Sequence, residues 1–336
     1  MIATASRRSS HGHWLASFAF STDQKGTAFR RARAGHAAPR PVDAAPDLFS
    51  AGRAMTDIEA LAASPHPVGS PEHQAVQDRL VARLETLGLS VERQSGALSP
   101  AAINRMGPAR AAAAQNRATN IIGVLPGSRP DLPMVMLMAH YDTVPDSPGA
   151  ADDTTGVAAI LETVRAIRTQ GQARRSLVVL FTDAEELNLD GARIFFGDHP
   201  LRDRIGIVIN LEARGGGGRA MMFETGPGNR QTIDLLAEVS AEVDGGVTGN
   251  SLAVFVYDQM PNGTDFTIAR NRGIAGLNFA FIGRPAQYHS ANSTPEALDT
   301  GSVQHIGALA LASTRKALNA PDLPQTTRNT VFADVL

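Results

Sequence analysis

The fold and the chemistry of this chain follow from one stretch, Leu177-Val178-Val179-Leu180-Phe181-Thr182-Asp183-Ala184-Glu185-Glu186. The apolar residues at its start predict a buried strand, and two carboxylates, Glu185 and Glu186, lie just beyond the end of that strand. A carboxylate removed from water is unfavourable by several kcal/mol unless a cation or a metal compensates it. Because adjacent side chains tend to point in different directions, one acid can bind a metal while the other transfers a proton.

Three more apolar runs lead into side chains that bind metals or transfer protons. These runs and the residues behind them are 134–139 before His140 and Asp142, 205–211 before Glu212, and 274–282 ahead of Tyr288 and His289. Short runs bounded by turn residues predict strands in a sheet that is covered on both faces. Ligands of open α/β sheets bind beyond the carboxyl ends of the strands, so we expect these residues to share one crevice.

Asp152 is a further candidate ligand, in the loop 148–156 ahead of a predicted helix at 157–167. Each candidate alone has an ordinary explanation. His140 is explained as a hydrogen-bonded structural histidine, Asp152-Asp153 as a helix N-cap, and Glu185-Glu186 as a solvated loop. Their common position at strand ends and at a helix start favours a joint metal site instead.

The composition of the chain limits which metal ligands and which partners are available to it. Cysteine is absent, which excludes disulfides, thiol catalysis and cysteine metal sites and leaves histidine and carboxylates as ligands. Such ligands suit a hydrolytic zinc site better than a structural one. A formal net charge of -2 over 336 residues gives no support for a nucleic-acid or anionic-membrane partner. No run approaches the roughly 18 apolar residues of a membrane span.

The first 46 residues differ from the rest of the chain. Residues 1–40 carry seven basic residues against a single acid, Asp23, and prolines follow as far as Pro46. This composition predicts a basic, disordered tail over residues 1–46 and an organised domain over residues 47–336. A twin-arginine export signal is the alternative, because Arg7-Arg8 precedes a short apolar stretch, so a cytoplasmic and an exported location both stay open.

Helical and strand patterns alternate through the organised domain. The elements predicted besides those above are a helix from the N-cap Ser70 to Gly88, strands at 90–94 and 119–124, and a last helix at 302–318. The Ala-rich segment 96–117 has no assignable pattern. The alternation, without an internal repeat, predicts one doubly wound α/β domain with a mixed, mostly parallel sheet and helices on both faces.

The order and spacing of the candidate residues resemble a known family. In chain order they are His140-x-Asp142, Asp152 in its glycine-bounded loop, Glu185-Glu186, Asn210-Leu211-Glu212 and His289. This order is similar to that of two-zinc aminopeptidases and carboxypeptidases, in the branch of endoplasmic-reticulum metallopeptidases and vacuolar membrane proteases. The stretches 64–70, 212–215 and 264–266 also fit that branch. The resemblance covers the chain from about Asp47 onward and implies a zinc-exopeptidase fold.

The resemblance also implies a role for each residue. The implied ligands are His140, Asp152 and Glu212 for one zinc ion and Asp152, Glu186 and His289 for the other, with Asp152 bridging. Glu185 matches the general base, and Asp142 matches the carboxylate that orients His140. The Asp152–Asp153 peptide bond is implied to be cis. Two positions depart from the commonest pattern, since Ala151 replaces a frequent acid and Glu212 replaces a frequent aspartate.

Other residues near the predicted site keep two interpretations. Tyr288 either helps to hold the oxyanion or packs against the wall of the site. Arg214, beside a run of glycines, either lines the substrate pocket or belongs to a flexible surface loop, and the loop is the preferred interpretation. Among the remaining histidines, only His66 is expected to approach the cleft.

The function implied is that of a zinc-dependent exopeptidase, an aminopeptidase that hydrolyses the N-terminal peptide bond of a peptide substrate. A carboxypeptidase or a deacylase on the same site is one alternative, and a non-catalytic binding domain that resembles these peptidases is another. Retention of both ligand sets argues against the one-zinc cyclases of N-terminal glutamine that share the fold. Relatives often continue into membrane helices, so whether this chain is a soluble relative or a truncated product stays open, as does its oligomeric state.

Overall fold

The computed structural model describes residues 38–333, and within this range the strands form one sheet of eight. Its strands, in chain order, are β1 (Ser90–Ala97), β2 (Arg117–Leu125), β3 (Met134–His140), β4 (Leu177–Thr182), β5 (Ile205–Ala213), β6 (Met221–Thr225), β7 (Thr248–Gly249) and β8 (Ala275–Phe281). Their order across the sheet is β1-β2-β4-β3-β5-β8-β6-β7. The central pairs β4–β3, β3–β5 and β5–β8 are parallel, whereas β1–β2, β2–β4 and β6–β8 are antiparallel.

Helices connect these strands. They are α1 (Ala51–Leu61), α2 (Pro71–Thr86), α3 (Pro100–Met106), α4 (Pro108–Ala113), α5 (Thr154–Arg168), α6 (Glu185–Asn188), α7 (Asp190–Asp198), α8 (Arg230–Ser240), α9 (Ser251–Asp258), α10 (Asp265–Asn271) and α11 (Thr300–Asn319), with short 3-10 turns at Pro200–Arg204 and Pro285–Gln287. The helix predicted to begin at Ser70 is confirmed, since the Ser70 side chain accepts from the backbone amide of His73 and Pro71 takes the first position.

The two faces of the sheet are covered by different helices. Val135 and Leu137 of β3 pack into one core with α1, α5 and α11, while Met136 and Met138 of the same strand pack into a second core with α7 and α10. Alternate residues of a strand point to opposite faces, so a strand buried on both sides reads as a continuous apolar run. The prediction of a doubly wound, mostly parallel sheet with helices on both faces is confirmed.

The structure refines some element bounds. The unassigned segment 96–117 holds α3 and α4, two short helices that each begin at a proline. Helix α5 begins at Thr154, three residues before the predicted start, because Asp153 caps it by accepting from the backbone amide of Gly156 at 3.1 Å. The N-cap interpretation is therefore confirmed for Asp153, and Asp152 is not the cap of this helix.

The described part of the N-terminal region packs against the domain. The backbone amide of Arg40 donates to Gln304 of α11 at 2.9 Å, and the hydroxyl of Ser50 donates to the carbonyl oxygen of Arg40 at 3.1 Å. The remainder of the predicted tail, including the twin-arginine pair, lies outside the described residues. None of the described helices is both long enough and apolar enough to cross a membrane.

Candidate active site

The parallel strands bring the predicted residues to one edge of the sheet. His140 is the last residue of β3, and Glu212 is the second-last residue of β5, its parallel neighbour. On the other side of β3, the strand β4 ends at Thr182 and leads within three residues to Glu185. Because these strands run in the same direction, their carboxyl ends meet where the crevice of an open α/β sheet lies.

The first group of potential ligands consists of His140, Asp152 and Glu212, which we call the His140 cluster. One ligand atom from each of these buried residues lies within 4.8 Å of the others. The Nε2 atom of His140 is 3.1 Å from Oδ1 of Asp152 and 4.0 Å from Oε2 of Glu212. The chain thus holds one imidazole nitrogen and two carboxylates at the spacing of a metal site.

The second group consists of Asp152, Glu186 and His289, which we call the His289 cluster, and it meets the same distance criterion. The Nε2 atom of His289 is 3.0 Å from Oδ2 of Asp152 and 2.8 Å from Oε1 of Glu186. Asp152 therefore directs one oxygen at each cluster. His289 has a backbone φ of 51°, a left-handed conformation that is uncommon outside glycine and is found at functional sites.

A backbone reversal separates Glu185 from the strand that carries it. Ala184 has a φ of 57° and is fully buried, so the chain turns sharply between β4 and α6. Glu185 and Glu186 are the first residues of that short helix, and Glu186 joins the His289 cluster while Glu185 belongs to neither cluster. The division of the acid pair into a metal ligand, Glu186, and a free carboxylate, Glu185, stays a prediction.

Asp142 secures the same helix from the neighbouring strand. Its carboxylate accepts from the backbone amides of Glu185 at 3.0 Å and Glu186 at 3.4 Å. The Nδ1 atom of His140 lies 3.0 Å from the backbone oxygen of Asp142 but 3.6 Å from its carboxylate. The backbone oxygen of Asp142 is therefore the nearer partner of the imidazole, and its carboxylate also holds the start of α6; the orienting role implied for that carboxylate stays a prediction. The Asp152–Asp153 peptide bond is cis, as predicted.

Comparison with known proteins agrees with this arrangement. The model of peptidase family M28 matches residues 120–314, which is more than half of the chain and includes both clusters. The chain belongs to peptidase family M28. This membership confirms the family resemblance of the sequence.

The curated proteins that the chain is similar to include an endoplasmic reticulum metallopeptidase and a vacuolar membrane protease. The chain is 30% identical over 287 residues to human endoplasmic reticulum metallopeptidase 1, a match that covers 81% of this chain and 31% of the relative. It is also 30% identical over 301 residues to a vacuolar membrane protease of Eremothecium gossypii, over 84% of this chain and 28% of that protein. The chain thus spans about a third or less of the length of these relatives.

Solved structures support the M28 fold. An aminopeptidase from Aneurinibacillus sp. strain AM-1 superposes with a TM-score of 0.67 at 15% identity, over 86% of this chain and 98% of the other. A Porphyromonas gingivalis glutaminyl cyclase superposes with a TM-score of 0.61 at 20% identity, over 80% and 99% of the two chains. At this level of identity, the likeness concerns the fold alone.

The acids of this M28 site are gathered beside two histidines and away from water. Burial raises the pKa of Glu212 to about 8 and raises those of Glu185 and Glu186 above their ordinary values. The Oε1 atom of Glu186 lies 2.8 Å from Nε2 of His289, so this oxygen faces a nitrogen that can itself bind a metal. Carboxylate oxygens held beside histidine nitrogens fit a site built to receive divalent cations.

Two cavities meet at Glu185. The first, which we call the apolar cavity, has a volume of about 610 Å³ and reaches the His140 cluster through Asp152 and Glu212. Its wall is mostly apolar and includes Phe223, Leu252, Val256, Met260 and Ile282. The second, which we call the basic cavity, has a volume of about 640 Å³ and reaches Glu186 and His289. Arginine and asparagine side chains are prominent in its wall, among them Arg105, Arg193, Arg214, Asn262 and Asn271.

Tyr288 and Arg214 line both cavities. The Tyr288 ring stacks on His289 with centroids 3.7 Å apart, and the Arg214 guanidinium carbon lies 5.4 Å from the centre of the Tyr288 ring. Burial raises the pKa of Tyr288, so its hydroxyl keeps its proton and can donate. The preferred interpretation of Arg214 as part of a flexible surface loop is wrong, because its amide donates to Phe281 of β8 and its side chain faces the site.

Sequence reasoning overlooked a buried layer behind the site. The Nε2 atom of His73 lies 2.8 Å from Oδ1 of Asp183, and the other oxygen of Asp183 accepts from the amide of Thr119. The hydroxyl of the preceding residue, Thr182, donates to Asp265. A polar residue on the buried face of a helix, like His73, is the signal in the sequence that indicates this layer.

His66, the histidine expected near the cleft, is buried, and its backbone amide donates to the side chain of Thr143 at 2.9 Å.

Proposed function

We propose that this protein is a zinc-dependent aminopeptidase that carries two zinc ions, with the His140 cluster and the His289 cluster as their ligands. The observation that carries the proposal is the sharing of Asp152 between the two clusters, with Glu185 free beside them. The solved aminopeptidase from Aneurinibacillus and the two curated relatives, a metallopeptidase and a protease, support a peptidase.

The donor atoms suit zinc. Imidazole nitrogens and carboxylate oxygens are its usual ligands where cysteine is absent, and catalytic sites leave a position open for water or substrate. When bound, zinc supplies Lewis acidity, which makes water a nucleophile near neutral pH and polarises a carbonyl group.

Glu185 is proposed as the general base. It lies at the junction of the two cavities and belongs to neither ligand cluster, so its carboxylate can face the scissile bond. In this position, it accepts a proton from the attacking water and returns it to the leaving amine. The Asp142 carboxylate fixes the backbone of Glu185. We propose that the hydroxyl of Tyr288, which lines both cavities, donates a hydrogen bond to the developing oxyanion.

The solved neighbour named as an aminopeptidase supports action at the amino end of a peptide. Asp152, Glu186 and Glu212 surround the place where the scissile bond would lie, and as zinc ligands they have their charge compensated by the metal, so they do not by themselves select an amino terminus. The apolar cavity beside them offers room for the side chain of the first residue, which its Phe223 and Val256 wall predicts to be large and apolar.

The test combines metal content with matched substrates. We expect elemental analysis to find two zinc equivalents, and we expect release of p-nitroaniline from leucine p-nitroanilide but not from its N-acetyl derivative. Equal release from the acetylated compound, or release of a C-terminal residue from an N-blocked peptide, would favour the deacylase or carboxypeptidase alternative. Zinc binding without hydrolysis of any of these substrates would favour the binding-domain alternative.

A further inference from the structure

The basic cavity carries charge of one sign beyond the catalytic groups. Apart from Glu185, Glu186 and His289, the charged side chains that line it among the described residues are Arg105, Arg193 and Arg214. No other carboxylate from the described part of the chain lines this cavity. The apolar cavity, which also reaches Glu185, shares Arg214 with the basic cavity but is otherwise bordered by the carboxylates of Asp152 and Glu212.

The partners of these arginines leave their charge uncompensated. The Nη1 atom of Arg105 donates to the backbone oxygen of Glu186 at 3.1 Å, and Nε of Arg193 donates to that of Asn188 at 3.0 Å. Arg214 lies over the Tyr288 ring. Within residues 38–333, none of the three forms an ion pair with a carboxylate of the chain. Each guanidinium has five N–H donors, so donors remain free for a ligand.

Three separate elements supply the arginines. Arg105 lies on α3, Arg193 on the exposed face of α7, and Arg214 directly after β5. Some arginines elsewhere in the described chain pair with carboxylates, as Arg83 does with Asp57 at 2.8 Å and Arg129 with Asp131 at 2.6 Å, but these three do not. Three unpaired guanidinium groups around one cavity therefore point to an anionic ligand.

We infer that the basic cavity binds a carboxylate on the residue that follows the scissile bond. The inference rests on the proposed function, because the two cavities meet at Glu185, where the scissile carbonyl would lie. A substrate then places its amino end and an apolar side chain on the side of Asp152 and its carboxylate on the side of Arg193. Dipeptides, whose terminal carboxylate lies one residue beyond the bond, and peptides with an acidic second residue are the two sources of this group.

Electrostatics favours this direction and disfavours its reverse. A guanidinium binds a carboxylate through paired, charge-assisted hydrogen bonds. The apolar cavity shares Arg214 with the basic cavity but lacks Arg105 and Arg193, and its wall is mostly apolar, so a carboxylate there would lose its hydration without a comparable set of donors. The difference in the number of guanidinium groups between the two cavities therefore orients the substrate.

The test uses the zinc-loaded protein and three substrates: Leu-Ala, Leu-Ala-amide and Leu-Glu-Ala-amide. We expect kcat/KM for Leu-Ala or Leu-Glu-Ala-amide, or for both, to exceed that for Leu-Ala-amide by about tenfold, as one charge-assisted interaction provides. An advantage of Leu-Ala identifies the terminal carboxylate of a dipeptide as the source, and an advantage of Leu-Glu-Ala-amide identifies the acidic second residue. Arg193→Gln should remove most of the advantage, whereas Arg79→Gln, on the exposed face of α2, should preserve it.

The outcomes separate the inference from the proposed function. Equal kcat/KM for all three substrates in the parent enzyme would overturn the inference and leave the aminopeptidase proposal intact. If the parent hydrolyses none of them, the proposed function fails, and calorimetry on Glu185→Gln decides the inference. Equal affinity of that variant for Leu-Ala, Leu-Glu-Ala-amide and Leu-Ala-amide would overturn it, and at least severalfold tighter binding of Leu-Ala or Leu-Glu-Ala-amide than of Leu-Ala-amide, lost in Glu185→Gln with Arg193→Gln, would support it.

Discussion

The carboxylate of Asp142 accepts a hydrogen bond from the backbone amide of Glu185 at 3.0 Å. This contact joins the end of β3, which carries His140, to the start of α6, which carries the acid pair. The ligand and the proposed base are thereby held in a common frame rather than on independent loops. Sites that must hold reacting groups within a fraction of an ångström are built on rigid elements in this way.

The first prediction separates the two adjacent acids. Glu185→Gln is nearly isosteric, cannot accept the proton of water, and leaves both ligand clusters complete, so we expect kcat to fall by roughly 10²–10⁴-fold with zinc content unchanged. Glu186→Gln removes a charged ligand and should lower the zinc content as well. Both variants are assayed for zinc stoichiometry and peptide hydrolysis. If Glu185→Gln loses zinc while Glu186→Gln keeps it, the assignment of base and ligand is reversed.

The second prediction concerns removal of the metal. Without cations, the carboxylates of Asp152, Glu186 and Glu212 face one another in a buried cluster, so we expect chelation to abolish hydrolysis and to lower the melting temperature. Addition of zinc should restore both. The melting temperature is measured by calorimetry as zinc is titrated back. A melting temperature that does not change with zinc would contradict the ligand assignment.

The third prediction concerns the pH dependence of stability at the buried pair of His73 and Asp183. Burial lowers the pKa of His73, but the charge of Asp183 and their hydrogen bond raise it by more, so the pKa in the folded protein lies above the usual 6.5. The stability that protonated His73 contributes is then fully present below pH 6.5 and is lost as the pH rises through the folded pKa.

The His73→Gln variant isolates this contribution. We expect the loss in free energy of unfolding relative to the parent to be larger near pH 6 than near pH 9, measured by urea denaturation at both values. Glu72→Gln, one residue away and exposed, serves as a control, and its effect on the free energy of unfolding should be the same near pH 6 and near pH 9. A loss that is the same at both pH values would show that His73 does not change its protonation on unfolding.

The fourth prediction uses two glycines of α7. A Cβ atom at Gly191 would lie 2.3 Å from the backbone oxygen of Asp183, so Gly191→Ala should cost roughly 1–3 kcal/mol of stability and disturb the turn before Glu185. Gly197 lies on the same helix with open space around it. Gly197→Ala should instead stabilise by up to about 1 kcal/mol, since alanine favours helices. Denaturant unfolding compares the two, and similar effects in both would refute the close approach at Gly191.

The strands and the clusters were predictable because their signals are local. Apolar runs such as 177–181 predict buried strands, and the residues after parallel strands meet at one edge whatever the details of the loops. The order His140, Asp152, Glu186 and Glu212 could therefore be placed in one crevice without knowledge of any distance. Their roles as zinc ligands stay predictions until the metal is measured.

The remainder of the site depends on contacts that no local pattern encodes. His73 lies inside a helix and reaches Asp183 across 110 positions of sequence, so its spacing alone cannot show the pair. The glycine run near Arg214 suggests a mobile loop, but pairing of Gly217 with Gly283 fixes it against the end of β8. Arg105 comes from the Ala-rich segment 96–117, where helical and irregular patterns are equally consistent with the sequence.

Two of the proposed metal ligands lie at the ends of buried strands, whereas several residues that line the two cavities lie on outer helices, and this difference has an evolutionary consequence. His140 and Glu212 lie at the ends of buried strands, where a replacement disturbs the core as well as the chemistry. Arg105 and Arg193 are exposed on short outer helices, and α9, which borders the apolar cavity, has no fully buried residue. Substitutions there leave the interior intact. The substrate specificity of this scaffold can therefore change while its reactive centre stays constant. After gene duplication, a few substitutions in these outer helices are enough to give paralogues with different substrates.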